Sequence, residues 1–140
     1  MYTYKKFGDK YVLSIDNHEE LVRALDAFCT EQGIHAGAVY GIGAAEEATL
    51  RFLDPATKQY VDKTFSEQME CASLTGNISA KDGKVYLHLH VVLGRRDYTC
   101  VGGHLLSMTI GGACELVVED FGGETGRRFD PETGLNMYAL

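Results

Sequence analysis

Three histidines carry the most specific chemistry this sequence can offer. Two of them stand two residues apart in Leu87-His88-Leu89-His90-Val91-Val92-Leu93, and His104 follows fourteen residues after His90 in Gly102-Gly103-His104-Leu105. Side chains on a β-strand point alternately to opposite faces. His88 and His90 therefore share a face, about 7 Å apart at a rise of ~3.4 Å per residue. Imidazoles at that separation can share one metal ion. If the segment from Gly94 to Cys100 is the loop of a hairpin, Leu93 faces Val101 and His90 stands directly opposite His104. Directly paired residues lie on one face of the sheet, whereas a slip of one residue would send His104 to the other. Three histidines on one face are the donor set of a zinc-type site with an open fourth position. An ion held in this way lowers the pKa of bound water toward ~7 or polarises a carbonyl oxygen. The competing reading is three surface or core histidines that hold no ion.

Such chemistry needs a proton donor or acceptor nearby. Glu70 and Glu115 are candidates by position, and Glu46 and Glu47 follow them, each with the alternative of a surface or structural carboxylate. Tyr86 shares the histidine face, either as support behind the ligands or as packing. The catalytic residues themselves stay unknown. His18 reads as exposed at a helix start and His35 as a linker residue. No nucleophile elbow, phosphate loop or dinucleotide fingerprint is present.

The elements that must position the histidines are mostly strands. Tyr11–Ile15 alternates as a first strand after a Gly8-Asp9 turn. Asn17, three residues before Glu20, reads as a helix N-cap with its capping-box partner. Leu21, Val22, Leu25, Phe28 and Cys29 form one apolar helix face, and Gly33 closes the helix in a left-handed cap. Ile34 to Gly43 is rich in small residues and leads into a second strand, and the small residues imply that something packs close to its backbone. Beyond a Gly-Ile-Gly turn, Ala48 to Leu53 reads as a third strand and Gln59 to Thr64 as a charged edge strand. Glu67 to Ile78 holds a strand with Gly76 near a bend, and Lys81-Asp82-Gly83-Lys84 is a hairpin turn into the histidine strand. Leu105 to Ile110 and Ala113 to Glu119 follow on either side of Gly111-Gly112. The tail turns at Asp130-Pro131 and Thr133-Gly134, and Met137 to Leu140 docks as a short extended segment. One helix and about seven hairpin-connected strands predict an α+β fold, a largely antiparallel sheet flanked by helices, in a single domain over residues 1–140.

Composition limits the function classes. The chain is 45% hydrophobic with two prolines, as in globular domains. Its net charge of −7 has the wrong sign for autonomous nucleic-acid binding, which rests on phosphate contacts by a basic surface. The basic pairs Lys5-Lys6, Arg95-Arg96 and Arg127-Arg128 read as solvated loop charges. Cys29, Cys71, Cys100 and Cys114 are dispersed in apolar or small-residue surroundings, which predicts reduced, mostly buried thiols of a cytoplasmic protein. Neither a signal peptide nor a membrane span is expected.

Four blocks then point to a family. Gly41-Ile42-Gly43-Ala44, Glu70 to Asn77, Leu87 to Val91 with Gly102 to Leu105, and Arg128 to Leu135 resemble the plants-and-prokaryotes-conserved (PPC) domain, and the LHLHV…GGHL pair is the most specific. The resemblance implies an antiparallel sheet with flanking helices, assembled as a homotrimer. It also implies a metal site, with zinc or another divalent first-row metal as cofactor, at the positions matched by His88, His90 and His104. Plant relatives often lose these histidines and carry an AT-hook with an R-G-R-P core, which this chain lacks. Three readings follow. One is a metal-binding trimer with a small-molecule ligand and its site near a subunit boundary. The second is a DNA-associated regulator without an AT-hook. The third is a structural trimer that uses the metal for stability.

Overall fold

A computed structural model describes residues 1–140. The chain runs β1 (Tyr2–Phe7), β2 (Lys10–Ile15), α1 (Leu21–Gln32), β3 (Gly37–Asp54), β4 (Gln59–Phe65), β5 (Met69–Lys81), β6 (Lys84–Gly94), β7 (Cys100–Asp120), β8 (Gly126–Asp130) and β9 (Leu135–Ala139). The fold is more sheet-dominated than the expected α+β arrangement: there are nine strands and one helix, so no set of helices flanks the sheet. The difference has two sources. β1 and the β8–β9 hairpin are nearly free of buried residues and give no apolar alternation to read. The expected turns inside β3 and β7 do not form, so two pairs of short strands are each one long strand.

Those unformed turns follow from the glycines. A Cβ on Gly41 or Gly43 would collide with the carbonyl oxygens of Glu115 and Ala113 on β7. These glycines serve close backbone approach along a bulged, bent strand. The close packing expected for this stretch is therefore present, with β7 as the neighbour. Because β3 pairs with both β5 and β7, and β6 pairs with the same two strands, the four close into a circuit. β2 extends the sheet from β7, β1 extends it from β2, and β4 folds back on the outer half of β3. All these pairings are antiparallel; only a single bridge, Ala80 to Gly126, joins β8 to β5 in parallel.

The core is one cluster of 26 buried residues. Leu89, Val91 and Leu93 of β6 and Leu105, Met108 and Ile110 of β7 supply its sheet side. α1 supplies Leu21, Leu25, Phe28 and Cys29. Tyr2, Tyr4 and Tyr11 surround the Phe28 ring edge-on, with centroids 5.2–5.7 Å from it. Helix entry differs from the sequence expectation. Glu20, not Asn17, is the N-cap: its carboxylate accepts from the N–H groups of Val22, Arg23 and Met108 at 2.9, 2.8 and 3.1 Å. His18 takes a left-handed φ of 65°, which keeps the helix from starting there, and Asn17 Oδ1 instead accepts from Gly112 N–H at 2.7 Å. Gly33 closes α1 at φ 68° as expected. Cys29, Cys71 and Cys114 are buried, and desolvation pushes their thiols up to about 12, 11 and 12. Cys100 alone of the four is exposed, at the start of β7, which leaves the thiols mostly buried as expected. No helix is long and apolar enough to cross a membrane.

Candidate metal centre

The hairpin that builds the site has the register expected from sequence. Asp82 and Gly83 adopt φ of 52° and 74°, the left-handed pair a tight two-residue turn requires, and this starts β6 in phase with β5. At its other end β6 turns into β7 so that Leu93 pairs with Val101 and His90 with His104. The odd-numbered residues of β6 from Leu89 to Leu93 then face the core, and His88 and His90 face outward. His104 joins them from β7 opposite Arg51 of β3.

The three imidazoles form a triangle. Ring centroids lie 5.2 Å apart for His88–His90 and His88–His104, and 5.6 Å apart for His90–His104. One ring nitrogen of each lies within 4.8 Å of the others. A tetrahedral ion with Zn–N bonds of 2.0–2.1 Å holds its nitrogens about 3.4 Å apart, a spacing that small side-chain rotations reach from here. The donor set fits the ion: three imidazoles from two rigid strands, no carboxylate among them. The electrostatics favour neutral rings as well. Burial, then the charges of His88, His90 and Arg51, pushes His104 from its ordinary 6.5 down to about 4. Burial, then His90 and Arg127, holds His88 below its ordinary value. Metal ligation needs the unprotonated imidazole.

The triangle opens on a cavity of about 490 Å³. One wall is the β3–β4 arm, with Arg51, Phe52, Leu53 and Tyr60, and the other is the carboxyl-terminal hairpin, with Arg127, Leu135, Asn136 and Met137. Tyr86 lines it beside the histidines, as its place on the strand implied; its hydroxyl accepts from Asn136 Nδ2 at 3.4 Å. The four glutamates lie elsewhere. Glu70 and Glu115 line a shallow groove with Ile42 and Cys71. Glu46 pairs with His18 at 3.1 Å, and Glu47 accepts from Ser66 at 2.8 Å. None is placed to move a proton at the triangle. His35 is likewise apart, paired with Glu124 at 3.8 Å.

Sequence reasoning missed two arginines. Arg51 makes a two-point pair with Asp62 at 2.7 and 2.8 Å and lies over the Tyr60 ring. Hydrogen bonding from Arg51 holds the Asp62 carboxyl below its usual range. Arg127, expected to be a solvated loop charge, is half-buried and fixed by three hydrogen bonds. The alternating pattern of β3 could have placed Arg51 beside His104 once the β3–β7 register was known. Nothing local to Arg127-Arg128 distinguishes the first arginine from the second.

Fold and site together define a small β domain with a histidine triangle at the floor of a cavity. The chain belongs to the Plants and Prokaryotes Conserved (PCC) domain family, which matches residues 2–122 and is the PPC family of the sequence resemblance. Among solved structures it is similar to a protein of Bacteroides thetaiotaomicron provisionally named as DNA-binding, at 56% identity over 99% of this chain and 97% of that one, TM-score 0.98. It is similar to a metal-containing protein of Archaeoglobus fulgidus at 39% identity over all of both chains, TM-score 0.89. A protein of Ralstonia eutropha, also provisionally named as DNA-binding, is 32% identical over 98% of this chain and 95% of that one, TM-score 0.91. No curated protein matches the chain.

Proposed function

We propose that His88, His90 and His104 hold a divalent first-row metal ion, zinc in the first instance, and that the fourth coordination position faces the cavity for a small-molecule ligand. The observation that carries this reading is the convergence of three ring nitrogens within 4.8 Å on two strands of fixed register. The name of the Archaeoglobus fulgidus relative supports it. When bound, the ion supplies Lewis acidity at the cavity floor. The chain's own part is to hold three neutral imidazoles, to wall the ligand between the β3–β4 arm and the tail, and to keep the Asp62 carboxylate paired with Arg51. A structural ion would be closed by a fourth protein ligand, and no carboxylate or thiol joins the three histidines here. Within one chain this supports ligand binding over stabilisation alone.

The test is metal per chain by elemental analysis of untagged protein. About one ion per chain is expected for the natural sequence. His90→Ala should lose most of it with an unchanged circular dichroism spectrum, because His90 is exposed and contributes nothing to the core. Unchanged metal content in that variant would falsify the assignment.

A second reading, association with DNA, is favoured by the names of two relatives. The charge distribution opposes it. The basic pairs lie on separate elements, Arg95 is paired with Glu67 at 2.8 Å, and Arg127 is engaged at the cavity. Fluorescence anisotropy of a labelled duplex at low salt decides it: a salt-sensitive rise would favour the DNA role, and a flat response would remove it.

A further inference from the structure

Arg127 lies beyond the residues that match the family, and its charge meets no counter-charge in this chain. Its Nε donates to Ser79 Oγ at 2.9 Å, Nη1 to the Asn136 carbonyl at 2.9 Å and Nη2 to Asn77 Oδ1 at 2.6 Å. All three acceptors are neutral. The guanidinium carbon packs 4.9 Å from the Tyr86 ring centroid and 4.3 Å from that of Tyr138. A guanidinium has five N–H donors, so two remain for a ligand. Arg51 is different, since Asp62 cancels its charge.

None of the 14 residues lining the cavity is an aspartate or glutamate. With a divalent ion on three neutral imidazoles, the cavity would hold an excess of positive charge, because Asp62, the carboxylate felt at His104, is already paired with Arg51. Charges interact more strongly in such a half-enclosed site than in bulk water. Phe52, Leu53, Leu135 and Met137 give the lining an apolar part that suits the hydrocarbon portion of a ligand. A volume of about 490 Å³ is that of a small-molecule site.

We infer that this cavity binds a small organic carboxylate, with Arg127 donating to the carboxylate and the apolar walls holding the remainder of the molecule. The inference rests on the metal reading, because the ion supplies the other half of the attraction. A carboxylate is favoured over inorganic phosphate for two reasons. The planar fork of arginine matches two carboxylate oxygens, and the apolar walls have no partner in a bare phosphate.

Arg127 also ties the carboxyl-terminal hairpin to β5 through Ser79 and Asn77. The test must separate that anchoring from ligand recognition. The full chain is loaded with cobalt(II), whose visible absorption reports its coordination, and titrated with isobutyrate, with neutral isobutyramide and with inorganic phosphate. Isobutyrate should change the cobalt bands saturably at millimolar concentrations, and isobutyramide should not. Arg127→Met should weaken isobutyrate by about tenfold or more, the worth of one charge-assisted contact, with cobalt content unchanged. If Arg127→Met fails to fold, Arg127→Lys keeps the charge without the fork and should weaken isobutyrate in the same direction. Full cobalt loading with bands indifferent to isobutyrate overturns the carboxylate inference alone. So does equal affinity in the arginine variants, and so does tighter binding of phosphate. Absence of bound cobalt overturns the metal reading, and this inference with it.

Discussion

His104 is the residue whose surroundings move it furthest toward its proposed task. Its folded value of about 4 lies below the ordinary 6.5. In the metal-free chain, the unfolded state therefore binds more protons than the folded state between those two values. Stability rises with pH wherever that holds. The contribution of His104 is thus fully present above about 6.5 and is lost as pH falls toward about 4. The urea midpoint of metal-free protein should fall between pH 7 and pH 4.5, and His104→Gln should flatten that fall. An equally steep fall in the variant would mean that other groups govern acid stability. At this scale the sequence was legible where residue type and strand parity settle the matter, as for His88, His90 and Tyr86. It was illegible where a side chain's role is set by partners distant in sequence. Arg127 reads as one half of a solvated pair because Asn77 and Ser79, which hold it, lie about fifty residues earlier on another strand.

The site depends at the level of elements on how closely β5 and β6 can approach. Gly76 pairs with Leu89, and a Cβ there would collide with the His88 carbonyl oxygen and crowd Leu89. The Leu89 methyl can swing aside, but the carbonyl oxygen is the backbone of His88 itself and cannot give way without moving that ligand. Gly76→Ala should therefore cost about 1–3 kcal/mol, the usual range for overpacking, and should weaken metal binding while leaving all three histidines in place. Chemical denaturation and a metal titration of the same variant check both parts; tight binding on an unmoved denaturation midpoint would show that the strands tolerate the methyl group. The β6–β7 register could be read in advance because apolar alternation on both sides of a short loop permits one in-phase pairing. The continuity of β3 and β7 could not. A Gly-x-Gly looks the same in a turn and in a bulged strand pressed against a neighbour, and only the neighbouring backbone, here β7, distinguishes them. β1 was hidden for a different reason: its outward residues include Lys5 and Lys6, whose amino groups lie over Phe7 and Tyr11, so no apolar period marks it.

Across the whole molecule, the histidines belong to a longer row. Val12, Val117, Tyr40, Thr75 and His90 are successive cross-strand neighbours on β2, β7, β3, β5 and β6, so all five share the outer face of the sheet. Val12 is 47% exposed and Tyr40 44%, and Ile42, two residues along β3, is 57% exposed. Scattered exposed apolar residues need no explanation, but neighbouring ones on one side of the sheet, as Val12, Tyr40 and Ile42 are, make a candidate surface for another protein. If the homotrimer implied by the sequence resemblance forms, this row is the face it is expected to bury. The expected solution mass is then three times 15.4 kDa. Tyr40→Glu places a charge in the middle of the row and should yield single chains in light scattering coupled to size exclusion. Because all three imidazoles come from one chain, the monomeric variant should still bind metal, at about the natural stoichiometry. A natural chain that elutes at 15.4 kDa removes the trimer. A Tyr40→Glu trimer moves the interface to another face. Metal lost together with assembly would mean that the site needs a group from a neighbouring copy.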